Sequence, residues 1–338
     1  MGTRSIARVY VEEGVGGHPR SLDILRRLGK AERVECSRYT EIFNRRAQDF
    51  RLQKLRPALV LAEKHRGHVL PAPIGYGVGG QHNFYFSHML NCVYDCRYCF
   101  LQGMYRSANY VLFVNYEDFF EALDRRLAET PSEDAWFFSG YDCDSLALDS
   151  LTGFANAFLP FFAARPRAWL ELRTKSTQIR ALLARSAIPN CVVAFSFTPK
   201  RAHEQLERGV PSIRKRIEAM AELASRGWRL GIRLDPLLWQ DDFERAYVRL
   251  LDQILEAVAV HDLHSVSLGP FRLPPDFHRR MRRLMPDERL FASGLESAGG
   301  VVSYPKELER EITGSVLSEL ERRLPHEIIF PCVLDDEP

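Results

Sequence analysis

The chain has no apolar run near the roughly 18 residues that a membrane-spanning helix needs. Its first residues, Met1 to Ile6, are polar and lead into no apolar stretch, so neither a secretion signal nor a membrane anchor is expected. Charge of one sign is also lacking. Lys and Arg number 46 against 44 Asp and Glu, a formal net charge of +2. Such a balance neither demands nor excludes a nucleic-acid partner, because local patches matter more than the sum. No repeat or low-complexity tract appears along the 338 residues. Cysteine is sparse as well: seven residues, an odd count, with three of them inside one stretch of eight. That distribution points away from a disulfide framework and towards a metal site in a reducing cytoplasm.

What is present is alternation. Strand-like Ala7–Glu12 is followed by helical spacing over Pro19–Leu28, and an Arg- and Lys-rich segment, Arg45–Ala62, ends in the apolar PALVLA. The Pro- and Gly-rich stretch Pro71–Gly80 predicts a boundary, its GVGG being a flexible connection and not a phosphate loop. Beyond it, strands are expected at Phe84–Ser87, Ala135–Phe138, Trp169–Arg173, Cys191–Phe197, Trp228–Leu234 and Ser265–Leu268. Helices are expected at Tyr116–Ala128, Leu151–Ala164, Gln178–Arg185, Pro211–Arg226 and Phe243–Ala259. About six such βα units predict an α/β fold, a partial (β/α)6 TIM-like barrel over residues 81–270. An N-terminal α/β appendage, 1–80, and a short C-terminal extension, 271–338, complete the expected organisation. Chemistry in such sheets gathers at the C-terminal ends of the strands.

The strongest motif is CVYDCRYC, Cys92, Cys96 and Cys99 in C-x3-C-x2-C spacing, on the loop after the first barrel strand. Thiolates are the ligands iron–sulfur clusters take, and three ligands for four irons leave one iron open to a substrate or cofactor. A structural zinc site needs four ligands, and no second CxxC or HxxxH pair supplies them, although His82 and His88 lie nearby. A metal-stabilised binding module without catalysis is the corresponding non-enzymatic alternative.

C-x3-C-x2-C followed by an aromatic resembles the radical S-adenosylmethionine signature. The resemblance implies a [4Fe–4S] cluster whose open iron chelates S-adenosylmethionine and whose electron releases a 5′-deoxyadenosyl radical. From about Val9 to Leu268 the chain further resembles the spore photoproduct lyases, which repair methylene-bridged thymine dimers in DNA. CRYCFLQG is similar to that family's cluster loop. Tyr98 falls on a family tyrosine beside cluster and cofactor. Phe100 falls on a second tyrosine thought to relay a hydrogen atom, a departure that removes the O–H. Lys175 in LRTKS matches a lysine that pairs with the cofactor carboxylate, and Ser196 in AFSFTP a serine beside the same cofactor. Asp235, before Pro236, is expected to accept from the ribose hydroxyls.

In FFSGYDCDSLALDSLT the family's hydrogen-donating cysteine aligns with Tyr141, and Cys143 stands two residues later. Residues two apart on a strand share a side, so either side chain can serve if the segment stays extended. Cys36, Cys191 and Cys332 read as structural. Asp142, Asp144 and Asp149 lack the spacing of a calcium loop.

The resemblance fails in the C-terminal hairpin, which in the family is rich in Arg, Lys and Tyr and helps hold the lesion out of the stack. Here Leu295–Pro305 has no Lys or Arg and a single aromatic, Tyr304. Basic residues cluster elsewhere, in HRRMRR (His278–Arg283) and around Lys200, Arg201, Arg208, Arg214, Lys215 and Arg216. They read either as phosphate contacts or as solvated helix faces paired with Glu204, Glu207 and Glu218. The implied activity is a carbon–carbon bond-cleaving lyase on damaged DNA, with a reductant such as flavodoxin or ferredoxin. The alternative is the same radical chemistry on RNA, a modified nucleotide, a peptide or a small metabolite.

Overall fold

The computed structural model describes residues 6–332 except 131 and 293. Its centre is an eight-stranded sheet curled into a half-barrel, strands lying in the order 329–331, 263–270, 229–237, 191–196, 168–174, 135–139, 82–86 and 69–71. Only the last of these, Val69–Pro71, runs antiparallel to its neighbour. The six expected strands are therefore all present, parallel and in sequence order, as right-handed βα crossovers require. They read as nearly unbroken apolar runs because helices cover the outer face: Cys191–Ser196 is buried at every position.

A second sheet, ordered 32–36, 8–12, 59–62, 110–113 and 89–90, packs beside the barrel. Two of its strands come from beyond residue 80, and the chain passes between the sheets at the cluster loop. One continuous apolar core joins both sheets. The Tyr116–Ala128 helix supplies Tyr116, Phe119, Ala122 and Leu123, a stripe at helical spacing. The Phe154–Ala163 helix lays Phe158 flat on Phe86 at 5.2 Å.

Three expectations need correction. The expected 151–164 helix is two, Asp149–Thr152 and Phe154–Ala163, parted where Gly153 turns left-handed. The expected 178–185 helix shrinks to Arg180–Leu183, because the Thr174 and Ser176 hydroxyls accept from the amides of Ser176 and Gln178 and hold a loop there. The GVGG stretch is packed and not a free connection. A Cβ on Gly80 would lie 2.2 Å from the Trp136 ring, so only glycine lets the backbone pass.

Residues 271–332 also add structure the sequence pattern did not announce. A three-stranded antiparallel sheet in the order 272–273, 301–303, 296–298 precedes the Lys306–Glu321 helix, and Ile329–Pro331 then joins the barrel beside 266–268. Among the described residues no helix is long and apolar enough to cross a membrane.

Candidate active site

The cluster loop is held from both flanks. Asn91 adopts a left-handed φ of 71°, and its amide donates to the carbonyls of Ser107 and Asn109 while its oxygen accepts from the Cys92 amide. Lys54 donates to the Cys92 carbonyl at 2.5 Å, and the Arg51 fork grips Asp95 at 2.9 and 2.8 Å. Gln102 donates to the Cys96 carbonyl at 2.6 Å. These contacts brace the backbone of the loop from both sides.

Cys92, Cys96 and Cys99 line one cavity of about 390 Å³ at the C-terminal ends of the barrel strands. Tyr98, Tyr141, Cys143, Lys175, Ser196 and Asp235 line the same cavity. All nine site residues expected from the sequence are therefore brought together. Among the described residues no three Cys, His, Asp or Glu side chains converge on a single-ion site. The three cysteines share one cavity wall, and a cluster would take each of them on a different iron. Burial pushes the Cys92 thiol up to about 12, and the cation of Lys54 opposes that shift. Thiolates in this setting need metal to hold them deprotonated.

Glu207 organises the cofactor side. Its strand pairs with the loop so that Glu207 stands opposite Cys96. The carboxylate is wholly buried and accepts from Tyr98 Oη, from His203 Nδ1 at 2.8 Å and from Arg216 Nη2 at 2.9 Å, with Lys175 Nζ 4.0 Å away. Burial alone would raise its pKa. Arg216 first, then His203, Lys175 and Tyr98, outweigh burial and hold the group at about 2. Arg216, itself fully buried, donates through Nη1 to the Ser196 carbonyl at 2.6 Å. One buried ion pair therefore fixes Tyr98, Lys175 and the backbone of Ser196. Burial tends to discharge Lys175, but Cys96 and Glu207 prevail and leave its pKa raised, so an ammonium faces the cavity. The sequence reading assigns Arg216 to a phosphate contact or, with Glu207, to a solvated helix face; the structure buries both. Their i, i+9 separation across a strand–loop–helix joint carries no periodic signal.

Across the cavity, Asp235 Oδ2 accepts from Ser267 at 2.6 Å, and Arg173 Nη1 lies 4.0 Å away. The buried Asp235 Oδ1 has no hydrogen-bond partner among the described residues and packs against Gly269. Cys332 also lines this wall. Its amide donates to the Leu268 carbonyl at 2.7 Å.

The premise that the 140s segment stays extended does not hold. The strand stops at Ser139, and Gly140 turns at φ 86°, where a Cβ would meet Ser145 Oγ at 2.6 Å. Tyr141 and Cys143 still both reach the cavity, but differently. The Tyr141 ring lies 4.5 Å from Tyr85 and 5.5 Å from Phe100, whereas Cys143 is buried close to Cys92. Asp144 latches the turn to the next strand, accepting from Thr174 Oγ1 and the Lys175 amide at 2.7 and 2.6 Å. Asp142 accepts from Tyr105 Oη at 3.1 Å and Asp149 from the Ala155 amide at 2.7 Å, so each of the three aspartates has a structural partner.

The hairpin expected at 295–305 is present, with Glu296–Ala298 exposed and Gly299–Gly300 at its tip. Tyr304 is buried, its hydroxyl accepting from the Trp239 amide at 3.1 Å, so it offers no stacking surface. Several members of the basic clusters have local partners: Arg214 with Glu218, Arg201 with Asp241, Arg279 with Asp276, and Arg280 on the carbonyls of Gly103 and Met104.

With its cysteine loop facing a cavity at the mouth of a parallel half-barrel, the chain is an enzyme of the radical S-adenosylmethionine class, with a [4Fe–4S] cluster, as its match to a known family shows. More narrowly, the chain belongs to the spore photoproduct lyase family, whose sequence model matches residues 84–272. The spore photoproduct lyase of a Geobacillus species is 27% identical over 246 residues, 69% of this chain and 72% of that protein. That of Bacillus subtilis is 25% identical over 177 residues, 52% of each. Among solved structures, a double mutant of spore photoproduct lyase with bound AdoMet and dinucleoside spore photoproduct superposes with a TM-score of 0.82 at 19% identity, covering 97% of this chain and 98% of the other. A further spore photoproduct lyase, complexed with dinucleoside spore photoproduct, gives 0.82 at 18% identity over 98% and 99%. At these identities the structures establish the fold.

Proposed function

We propose that this protein is a radical lyase that splits methylene-bridged thymine pairs of the spore photoproduct type in DNA, acting in the cytoplasm with a one-electron reductant. The observation that carries the reading is the convergence of nine separately expected side chains on one cavity. When bound, cluster and S-adenosylmethionine supply the 5′-deoxyadenosyl radical that takes a hydrogen atom from the substrate. Cys92, Cys96 and Cys99 hold the cluster. Lys175 pairs with the cofactor carboxylate, Ser196 flanks it, and Asp235 accepts from its ribose. Tyr98, oriented by Glu207, stands beside both. After the bridging bond breaks, Cys143 or Tyr141 returns a hydrogen atom. The aromatic wall of Tyr76, Tyr85, Phe100 and Tyr141 keeps water from the reacting groups.

The test uses anaerobically reconstituted, dithionite-reduced protein with S-adenosylmethionine and a synthetic dinucleotide carrying the bridged dimer. Both 5′-deoxyadenosine and restored thymine are followed by mass-resolved chromatography. Restored thymine is the expected result. A second reading keeps the radical chemistry and changes the substrate, favoured by a hairpin without Lys or Arg whose one aromatic is buried. 5′-Deoxyadenosine without thymine would select it. Neither product, from protein with a verified cluster, would overturn both.

A further inference from the structure

We infer that the face behind the cluster loop, centred on the Phe50–Leu55 helix, docks a small acidic one-electron carrier protein that reduces the cluster there. The inference rests on the radical reading above and adds where the electron enters. The helix sits directly on the loop, with Lys54 on the Cys92 carbonyl and Arg51 on Asp95. None of its residues lines the cavity. That separation suits electron entry, because cofactor and substrate occupy the mouth when the electron is needed.

The outward side of the helix has the composition of a transient protein interface. Leu52 and Leu55 are 66% and 68% exposed, among the most exposed large apolar side chains described. Exposed Arg45, Arg46 and Arg56 flank the helix along the chain, with Asp49 the one acidic residue between positions 44 and 56. An apolar centre inside a charged rim is how protein partners are gripped. A phosphate backbone has no use for two exposed leucines, so an acidic protein fits better than nucleic acid. Redox encounters of this kind are small and steered by charge, hence salt-sensitive. A carrier seated on Leu55 lies one residue from Lys54, whose ammonium touches the backbone of a cluster ligand. The step balances simply: the carrier's redox centre loses one electron, the cluster gains it, and no bond or proton moves.

The test is stopped-flow bleaching of cluster absorbance in the reconstituted protein, driven by reduced bacterial flavodoxin or, separately, by dithionite. Flavodoxin-driven reduction is expected to slow about tenfold or more in Arg45→Glu/Arg56→Glu and in Leu55→Glu, and in the native protein as salt rises. Dithionite-driven reduction should stay within about twofold throughout, which also verifies that the exposed substitutions leave the cluster intact. Equal flavodoxin rates in native and variant proteins would overturn the docking site alone. So would native protein that only dithionite reduces, or variants that lose oligonucleotide binding while flavodoxin still works. A native protein that neither reductant bleaches would overturn the radical reading and this inference with it.

Discussion

The two walls of the cavity have diverged to different degrees. The cofactor wall carries the side chains that the resemblance assigns to the cofactor, and a buried network braces it: Glu207 accepts from Tyr98 and Arg216, Arg216 donates to the Ser196 carbonyl, and Lys175 lies 4.0 Å from Glu207. The substrate wall keeps the space and changes the groups. On the resemblance, Tyr141 falls where the family has a cysteine and Phe100 where it has a tyrosine, and the hairpin at 295–305 carries no Lys or Arg. Side chains locked into a shared ion pair change only together, because breaking one member strands the others. Side chains that face an open cavity change singly.

Replacing any one of Cys92, Cys96 or Cys99 by alanine should have the largest effect, abolishing both the iron–sulfur absorbance and 5′-deoxyadenosine formation while the braced loop lets the protein fold. Glu207→Ala leaves the buried Arg216 charge alone and should destabilise the fold by about 3–5 kcal/mol, read as a fall in Tm. A drop under about 1 kcal/mol would break the contrast between the walls. On the substrate wall, Cys143→Ala with Tyr141→Phe should leave 5′-deoxyadenosine formation within severalfold but cut thymine recovery about tenfold or more, and the single variants assign the donor. Phe100→Tyr should lower the number of 5′-deoxyadenosines formed per thymine restored, since it returns the missing O–H.

The smallest effect is one of pH. The Glu207 carboxyl is held at about 2, below the unfolded value near 4.3. Its contribution to stability is thus complete above that unfolded value and fades as pH falls from about 4 towards 2. Acid titration of Glu207→Gln by circular dichroism should show a shallower slope in that window.

Legibility followed locality. The six barrel strands and the cluster loop were readable because an apolar run of five or six residues, or three cysteines in eight, declares itself within a short window. The sheet contributed by residues 8–12, 32–36 and 59–62 was partly readable. Glu32–Cys36 was missed because an exposed edge strand, ERVEC, carries no apolar face. The site residues that escaped, Glu207, Arg216 and Cys332, owe their places to tertiary meetings of distant segments. A glutamate buried by an arginine and a tyrosine looks, in one dimension, like any surface glutamate. The helix breaks at Gly153 and the turn at Gly140 were also invisible, since a glycine inside a pattern does not say which way the backbone will turn.

The closing strand has a consequence for how the molecule is made. Ile329–Pro331 pairs with Val266–Leu268, and Cys332 then supplies part of the cavity wall. The cysteine loop leaves the ribosome long before this wall does, so a nascent or prematurely ended chain can carry a cluster loop beside an unfinished chamber. The space in which radicals are to be confined therefore gains this part of its wall only once residues 329–332 have been added.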